Sequence, residues 1–372
     1  METTYLRDPA FWTSSEPAAP GSSFVLPQLA GGELEGLVFF QTSGTMGQAS
    51  WVGLSRDALL FSAAVVNRHL EVFEDSCWGL ALPLNHVGGF GVVARAFEAG
   101  SRLDCFREKW NPARFTSWLA EGCVSHVSLV PTQVHDLVKT GLRAPSSLKV
   151  VVVGGGGLDQ TIGGAARDLG WPVLASYGMT EAGSQIATQS LELLELPYSC
   201  GPIEVLPHWE VKIEGGGCIA IRGESLFSGE LIRVGREWSF SKRAGDWYVT
   251  KDLGRLDEAG LLPTGRSDAL VKILGELVDP VAVERELGVP DVLVVALPDP
   301  RKEHHLVAVY EDPAIGKRVE NLVTAYNGSA AGFLRIDRVV QVDAIPRGDL
   351  GKVRRLELAG LVDGRRDCRS SE

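Results

Sequence analysis

From Gly36 to Gly178 this 372-residue chain alternates short apolar runs with stretches of helical spacing, and that alternation restricts the fold more than any other feature. LVFFQ (37–41), CWGLALPL (77–84), HVSLVP (126–131), LKVVVVGGGG (148–157) and VLASYG (173–178) read as strands. Between them the pattern predicts helices at Ser55 to Phe73, with Ser55 as N-cap, at 112–121, opening on proline, and at 132–140. Strands apolar along their whole length are buried on both faces, so an α/β sheet covered by helices on both sides is expected. Residues 1 to about 35 are rich in Pro, Ser, Ala and Gly and predict an extended lead-in with weak structure.

The period changes after about Pro197. WEVKIEG, GCIAIRG, GELIRVG and DWYVT, all within about 210–250 and separated by glycine, predict an antiparallel sheet or small barrel. A turn-rich stretch (252–268) follows, then VKILG, a helix at 280–287, DVLVVAL, HLVAVY, a helix at 317–327, RVVQVDAI and a basic tail. The expected architecture is α/β, with a large N-terminal domain of mixed sheets (1–264) that carries a small antiparallel β subdomain. A hinge at 265–268 and a small mobile α+β domain (269–372) complete it.

Acidic residues outnumber basic ones, 47 to 36, for a net charge of −11. That balance argues against nucleic acid or an anionic membrane as the main partner. An anionic ligand must then be held by local groups. The six cysteines (Cys77, Cys105, Cys123, Cys200, Cys218, Cys368) show neither a C-x-x-C pair nor zinc spacing, so reduced thiols are expected. No apolar run approaches the ~20 residues that span a bilayer. The N-terminus has no signal-peptide core. The expectation is a cytoplasmic protein without membrane insertion.

Three strand ends carry loops suited to chemistry. Thr42-Ser43-Gly44-Thr45-Met46-Gly47-Gln48-Ala49-Ser50 interleaves hydroxyls with glycines, which allows close backbone approach and several donors to phosphate oxygens. It lacks the Gly-Lys of a Walker A loop, and a surface turn also accounts for it. Gly154, Gly155, Gly156 and Gly157 expose backbone after VVVV but lack the third glycine of the dinucleotide fingerprint, so a tight strand-to-helix turn serves equally. Tyr177-Gly178-Met179-Thr180-Glu181 offers an aromatic ring for a base, a hydroxyl for phosphate and a carboxylate for Mg²⁺. Its plain reading is a strand end with a capping Thr180 and a first-turn Glu181. Ligands bind at the C-terminal edge of such sheets, so the three loops reinforce one another.

These loops, in this order, resemble those of the adenylate-forming superfamily of acyl-CoA synthetases, luciferases and adenylation domains. Thr42–Ser50 is similar to its phosphate loop, and Tyr177–Glu181 fits its Y-G-x-T-E motif. Gly217–Gly223 (GCIAIRG), Asp252-Leu253-Gly254-Arg255 and Gly265-Arg266-Ser267-Asp268 with Lys272 and Gly275-Glu276 fit its later elements. Pro346-Arg347-Gly348-Asp349-Leu350-Gly351-Lys352 is similar to its P-R-[TN]-x-x-G-K tail. The likeness runs from about Phe39 to Leu358. Leu82–Gly89 (LPLNHVGG), Ser128–Gln133 (SLVPTQ) and the continuation Ala182-Gly183-Ser184-Gln185 most resemble o-succinylbenzoate–CoA ligases of menaquinone biosynthesis.

The resemblance implies an ATP-dependent acid–CoA ligase working through an acyl-adenylate. Its expected partners are a small carboxylic acid, ATP with Mg²⁺, and CoA, with homodimerisation left open. Tyr177 would stack on adenine beside Gly154–Gly157, Asp252 would bond the ribose hydroxyls, and Arg266 would contact the ribose-phosphate region. Thr180 would bind the α-phosphate, Glu181 would hold Mg²⁺, and Lys352 would meet the carboxylate and α-phosphate oxygens. His86, Arg95 and Ser184 would line the acid site, with Arg95 pairing a distal carboxylate, and Asp268 would be the hinge. On their residues alone, His86 reads more often as a satisfied structural histidine and Arg95 as a solvated or snorkelling side chain. His304, His305 and the arginine pairs 354–355 and 365–366 read as solvated surface.

Two departures stand out. The loop's usual terminal lysine is Ser50, so another group must offset the leaving pyrophosphate or catalysis is slower. About forty residues precede the loop where the family carries about a hundred more, a subdomain-scale difference. The expectation is a pared-down N-terminal subdomain or a partner that completes the surface. Adenylation of another aromatic or fatty acid, for CoA or a carrier protein, and a degenerate nucleotide-binding protein remain alternatives.

Overall fold

The computed structural model describes residues 2–364 except Ser43 to Ala49, Arg236, Pro290, Asp349, Leu350 and Lys352. The chain divides into two compact units, Met1–Thr250 with Arg255–Pro263, and Lys251–Gly254 with Thr264–Glu372. The segment Lys251–Gly254, which the sequence reading leaves in the first domain, thus clusters with the second unit.

Helices α1 (Glu2–Leu6) and α2 (Pro9–Thr13) open the first unit, followed by strands β1 (Leu37–Thr42) and β2 (Ser50–Ser55) and helix α3 (Arg56–His69). Next come β3 (Cys77–Leu80), α4 (Val87–Glu98), β4 (Arg102–Cys105), α5 (Pro112–Glu121), β5 (His126–Leu129) and α6 (Pro131–Thr140). Then follow β6 (Val150–Val153), α7 (Gln160–Asp168), β7 (Val173–Met179) and β8 (Ser184–Thr188). The central sheet has the order β4-β3-β5-β6-β7-β8 and is parallel except for β8, which runs antiparallel to β7. Alternate residues of one strand feed opposite cores, as strand geometry requires. Val150 and Val152 pack with α3 and α4, whereas Val151 and Val153 pack with α5, α6 and α7. Helices therefore cover both faces of the sheet, as the apolar runs predict.

The segments after Pro197 are divided between two sheets. Strands β9 (Trp209–Ile213) and β10 (Cys218–Gly223) join β13 (Tyr248–Asp257) and β14 (Gly260–Arg266) in the order β14-β13-β10-β9. Strands β11 (Gly229–Val234) and β12 (Glu237–Lys242) extend the N-terminal hairpin as β1-β2-β11-β12. Here Gly229 pairs with Gly53 and Leu231 with Trp51.

The second unit contains a short hairpin, β15 (Val271–Ile273) and β16 (Glu276–Val278), and helix α8 (Pro280–Leu287). Strands β17 (Val292–Asp299), β18 (Glu303–Tyr310) and β19 (Ile336–Gln341) form its sheet, accompanied by α9 (Gly316–Ser329) and α10 (Arg355–Gly364). His305 is buried on β18, 3.8 Å from Asp299, and half-buried Arg355 bonds Glu284 at 2.9 Å. Neither is the solvated surface residue that the sequence predicts, because strand pairing and helix docking cover them.

The lead-in also differs from expectation. Leu6, Phe11 and Trp12 are buried in the same core as Phe90, Val93 and Leu174. Trp12 stacks on Phe97 at 5.2 Å and donates its Nε1–H to the carbonyl of Leu6 at 2.9 Å. The buried Arg56 guanidinium lies 4.7 Å over the Phe11 ring and donates to the carbonyl of Glu16 at 2.7 Å. Five-residue helices are too short to show a period, so only tertiary packing reveals them. Leu6→Ala is accordingly expected to destabilise the fold by about 2 to 3 kcal/mol in denaturant unfolding. An unstructured lead-in would lose nothing. Among the described residues no helix is long and apolar enough to cross a membrane.

Candidate active site

Thr42 ends β1 opposite Ser50, and their hydroxyl oxygens are 2.8 Å apart, closing the mouth of the hairpin. Ser43, Gly44, Thr45 and Gly47, like Lys352 of the second unit, lie outside the described residues. Gly154 donates its N–H to the carbonyl of Leu129 at 3.1 Å, which sets the Gly154–Gly157 loop beside the ends of β5 and β6. A Cβ on Gly154 would lie 3.9 Å from the carbonyl oxygen of Ser176, so this loop adjoins β7.

The end of β7 carries the densest chemistry. Pairing with β8 shifts register between half-buried Tyr177 and Gly178. A Cβ on Gly178 would collide with the carbonyl oxygen of Ser184, so only glycine fits there. Thr180–Ala182 form one 3₁₀ turn, closed by Gly183 in the left-handed region (φ 68°). Ser184 follows at φ 137°, a conformation that strains a residue with a Cβ and that is stored where surrounding structure enforces it. Glu181 accepts the N–H of Phe227 on its backbone carbonyl at 2.8 Å, and Tyr248 donates its hydroxyl to Glu181 Oε1 at 3.4 Å. Among the described residues no group of three or more His, Cys, Asp or Glu side chains is placed to hold a metal ion. One carboxylate beside phosphate-suited donors fits a magnesium ion that arrives on its nucleotide, since Mg²⁺ keeps most of its ligands as water and phosphate oxygen.

His86 is the N-cap residue of α4, half-buried, and its carbonyl accepts the N–H groups of Gly89 and Phe90 at 3.0 Å each. Arg95, nine residues on, is neither solvated nor snorkelling: it is 2% exposed. Nη2 donates to Ser128 Oγ at 3.1 Å, and the guanidinium carbon lies 4.5 Å from the centre of the Trp78 ring. Nε finds no acceptor, and no carboxylate pairs with Arg95 among the described residues. Burial alone pushes its pKa down to about 9. A Cβ on Gly91 would lie 3.4 Å from both Arg95 Nη1 and Ser184 Oγ. Arg95 Nη1 and the strained Ser184 thus both border the space over Gly91.

In the second unit Arg266 ties two sequence-predicted residues together. Its Nη1 donates to Asp252 Oδ1 at 2.9 Å, while Nε and Nη2 grip Asp268 at 2.8 and 2.9 Å. Hydrogen bonding from Arg266 holds the Asp268 carboxyl below the usual carboxylate range. The structure thus groups Tyr177, Gly178, Thr180, Glu181 and Ser184, sets Arg95 Nη1 and Ser184 Oγ both around Gly91, and separately groups Asp252, Arg266 and Asp268.

The family model of AMP-binding enzymes matches residues 25–235, more than half of the chain. The chain belongs to the AMP-binding enzyme family. A 2-succinylbenzoate–CoA ligase of Listeria monocytogenes is 28% identical over 327 residues, covering 85% of this chain and 68% of that one. The o-succinylbenzoate CoA synthetase MenE of Bacillus subtilis, solved with the acyl-adenylate intermediate OSB-AMP, superposes with a TM-score of 0.73 at 26% identity, covering 86% of this chain and 68% of that one. The same enzyme solved with ATP and magnesium ion gives 0.72 at 25%, covering 86% and 69%.

In this AMP-binding enzyme the sequence reading gave no individual role to Trp78, Gly91, Tyr248 or Ser128, the last of which it quoted only within SLVPTQ. One signal was available: His126 and Ser128 are two polar residues at i, i+2 in an otherwise apolar strand, hence on one face. Trp78 and Gly91 carry no comparable local mark.

Proposed function

We propose that this AMP-binding enzyme is an o-succinylbenzoate–CoA ligase. A carboxylate oxygen attacks the α-phosphorus of MgATP, the bond to pyrophosphate breaks, and an acyl-adenylate forms. The sulfur of CoA then attacks the acyl carbon, AMP departs with the bonding electron pair, and the thiol proton passes to solvent. A carboxylate is a poor electrophile, and the adenylate supplies the leaving group that it lacks.

One observation carries the choice of acid. Arg95 is a buried cation with no carboxylate partner among the described residues, and its Nη1, like Ser184 Oγ, borders Gly91. Leaving a charge in such a place is costly unless a partner arrives. An acid with a second carboxylate supplies that partner, whereas a fatty acid or a simple aromatic acid does not. His86 and Ser184 complete the acid site. Tyr177 takes the adenine beside Gly154, Gly155 and Gly156, and Thr180 and the Thr42–Ser50 loop take the phosphates. Glu181 ligates the magnesium of MgATP, Asp252 and Arg266 serve the ribose and its phosphate, and Lys352 offsets charge on the reacting oxygens. Asp268 is the hinge.

Acid-dependent ATP–pyrophosphate exchange tests the reading. Exchange should be fastest with o-succinylbenzoate in a panel of aromatic and aliphatic acids. Faster exchange with a monocarboxylic or fatty acid overturns the assignment, and no exchange with any acid favours a binding-only protein. Ser50→Lys is expected to speed pyrophosphate formation about five-fold, the effect of ~1 kcal/mol of solvent-screened attraction. A slower rate would mean that another cation already fills that space.

A further inference from the structure

Trp78 takes no part in the steps above, yet Arg95 lies on it. The indole is fully buried in β3, and the guanidinium carbon stands 4.5 Å from its ring centre. Ser128 Oγ fixes the same group at a second point by accepting from Nη2 at 3.1 Å. A planar guanidinium held by its face and by one donor has little rotation left. In that pose Nη1 borders Gly91, which Ser184 Oγ also borders.

The other surroundings of Trp78 fit a platform better than ordinary filling. Its Nε1–H finds no acceptor among the described residues, a penalty that phenylalanine or leucine would avoid. His126 packs against it with ring centres 5.3 Å apart. That imidazole is itself pinned, with Nδ1 2.8 Å from Ser125 Oγ and Nε2 3.2 Å from the carbonyl of Leu70. Burial pushes its pKa down to about 4, so it stays neutral and sets no second cation against the ring.

We propose that Trp78 is a positioning residue for acid recognition: its ring face holds Arg95 in the orientation that offers Nη1 to the second carboxylate of the substrate. This inference rests on the function proposed above. It makes Trp78 a determinant of selectivity, acting through Arg95, for acids that carry that carboxylate.

The test compares kcat/KM for o-succinylbenzoate with that for 4-oxo-4-phenylbutanoate, the same acid without its ring carboxylate. Reading both acids on one preparation cancels any loss of folded protein. Trp78→Leu should lower the ratio about 30-fold, the worth of a desolvated cation–π contact, through KM for o-succinylbenzoate and with kcat nearly unchanged. Trp78→Phe keeps a π-face and should lower it only about three-fold, a partial rescue; if the leucine variant does not fold, this change decides. A ratio unchanged in the variants, or equal losses on both acids, overturns the inference and leaves Trp78 as core. If the wild-type enzyme does not favour o-succinylbenzoate at all, the proposed function falls and the role of Trp78 falls with it. A wild-type preference that survives in the variants removes Trp78 alone.

Discussion

Arg95→Met should make the free protein more stable while it cripples acid binding. The wild-type guanidinium is 2% exposed and has no carboxylate partner among the described residues. Its desolvation costs several kcal/mol. Against that stand one charge-assisted hydrogen bond to Ser128, worth about 1.5 kcal/mol, and the cation–π contact with Trp78, worth about 2 kcal/mol. Methionine fills similar volume with no charge, so a net gain of about 1 to 3 kcal/mol and a melting temperature a few degrees higher are expected. The same change removes the cation proposed to meet the second carboxylate of the substrate, and KM for o-succinylbenzoate should rise by about 10² to 10³. Calorimetry and ATP–pyrophosphate exchange read the two effects separately. A variant that is less stable yet keeps its KM would make Arg95 a packing residue. Opposite signs for stability and function are the signature of a site that keeps an unfavourable group for its substrate.

How far the sequence foretells these features depends on how local their causes are. The parallel strands were legible because burial on both faces leaves an uninterrupted apolar run, as in VVVV of β6. Ser55 as cap of α3 was legible because capping acts within three residues, and its hydroxyl does accept the N–H of Ala58 at 3.1 Å. The cluster at the end of β7 was legible because its aromatic, hydroxyl and carboxylate lie within five consecutive residues. What escaped depends on distant partners. Gly91 gives no hint by itself that Arg95 Nη1 and the distant Ser184 both border it. Trp78 reads as one more buried aromatic until the guanidinium is seen above it. The split of β11 and β12 from β9 and β10 was hidden for the same reason: all four alternate alike, and only pairing with β2 distinguishes them. The residues alone left a snorkelling Arg95 open because its apolar neighbours in α4 are the same whether the helix is half-exposed or sunk in the core.

Glu181→Gln is expected to slow adenylation by about 10³ with the fold intact. The side chain keeps its size, and its amide oxygen still accepts from the Tyr248 hydroxyl, now 3.4 Å from Oε1. The Phe227 N–H bonds the backbone carbonyl of residue 181 at 2.8 Å, so the substitution leaves that contact alone. What disappears is one negative charge. A neutral amide is a weak ligand for a hard cation such as Mg²⁺, and charge stabilisation by a well-placed metal is worth several kcal/mol in a transition state. The loss should therefore appear in acid-dependent pyrophosphate exchange and as a shift of the Mg²⁺ activation curve to higher concentration. Conversion of a supplied acyl-adenylate to the thioester needs no pyrophosphate departure and should stay within a few-fold of wild type. Thermal unfolding separates this from a structural role. A helix-start carboxylate contributes roughly 0.3 to 1 kcal/mol, so a purely structural Glu181 would lower stability slightly and leave exchange near normal. Exchange lost together with stability would point to collapse of the β7–β8 connection, whereas exchange lost at unchanged stability, with the magnesium curve displaced, assigns the carboxylate to the metal of the nucleotide.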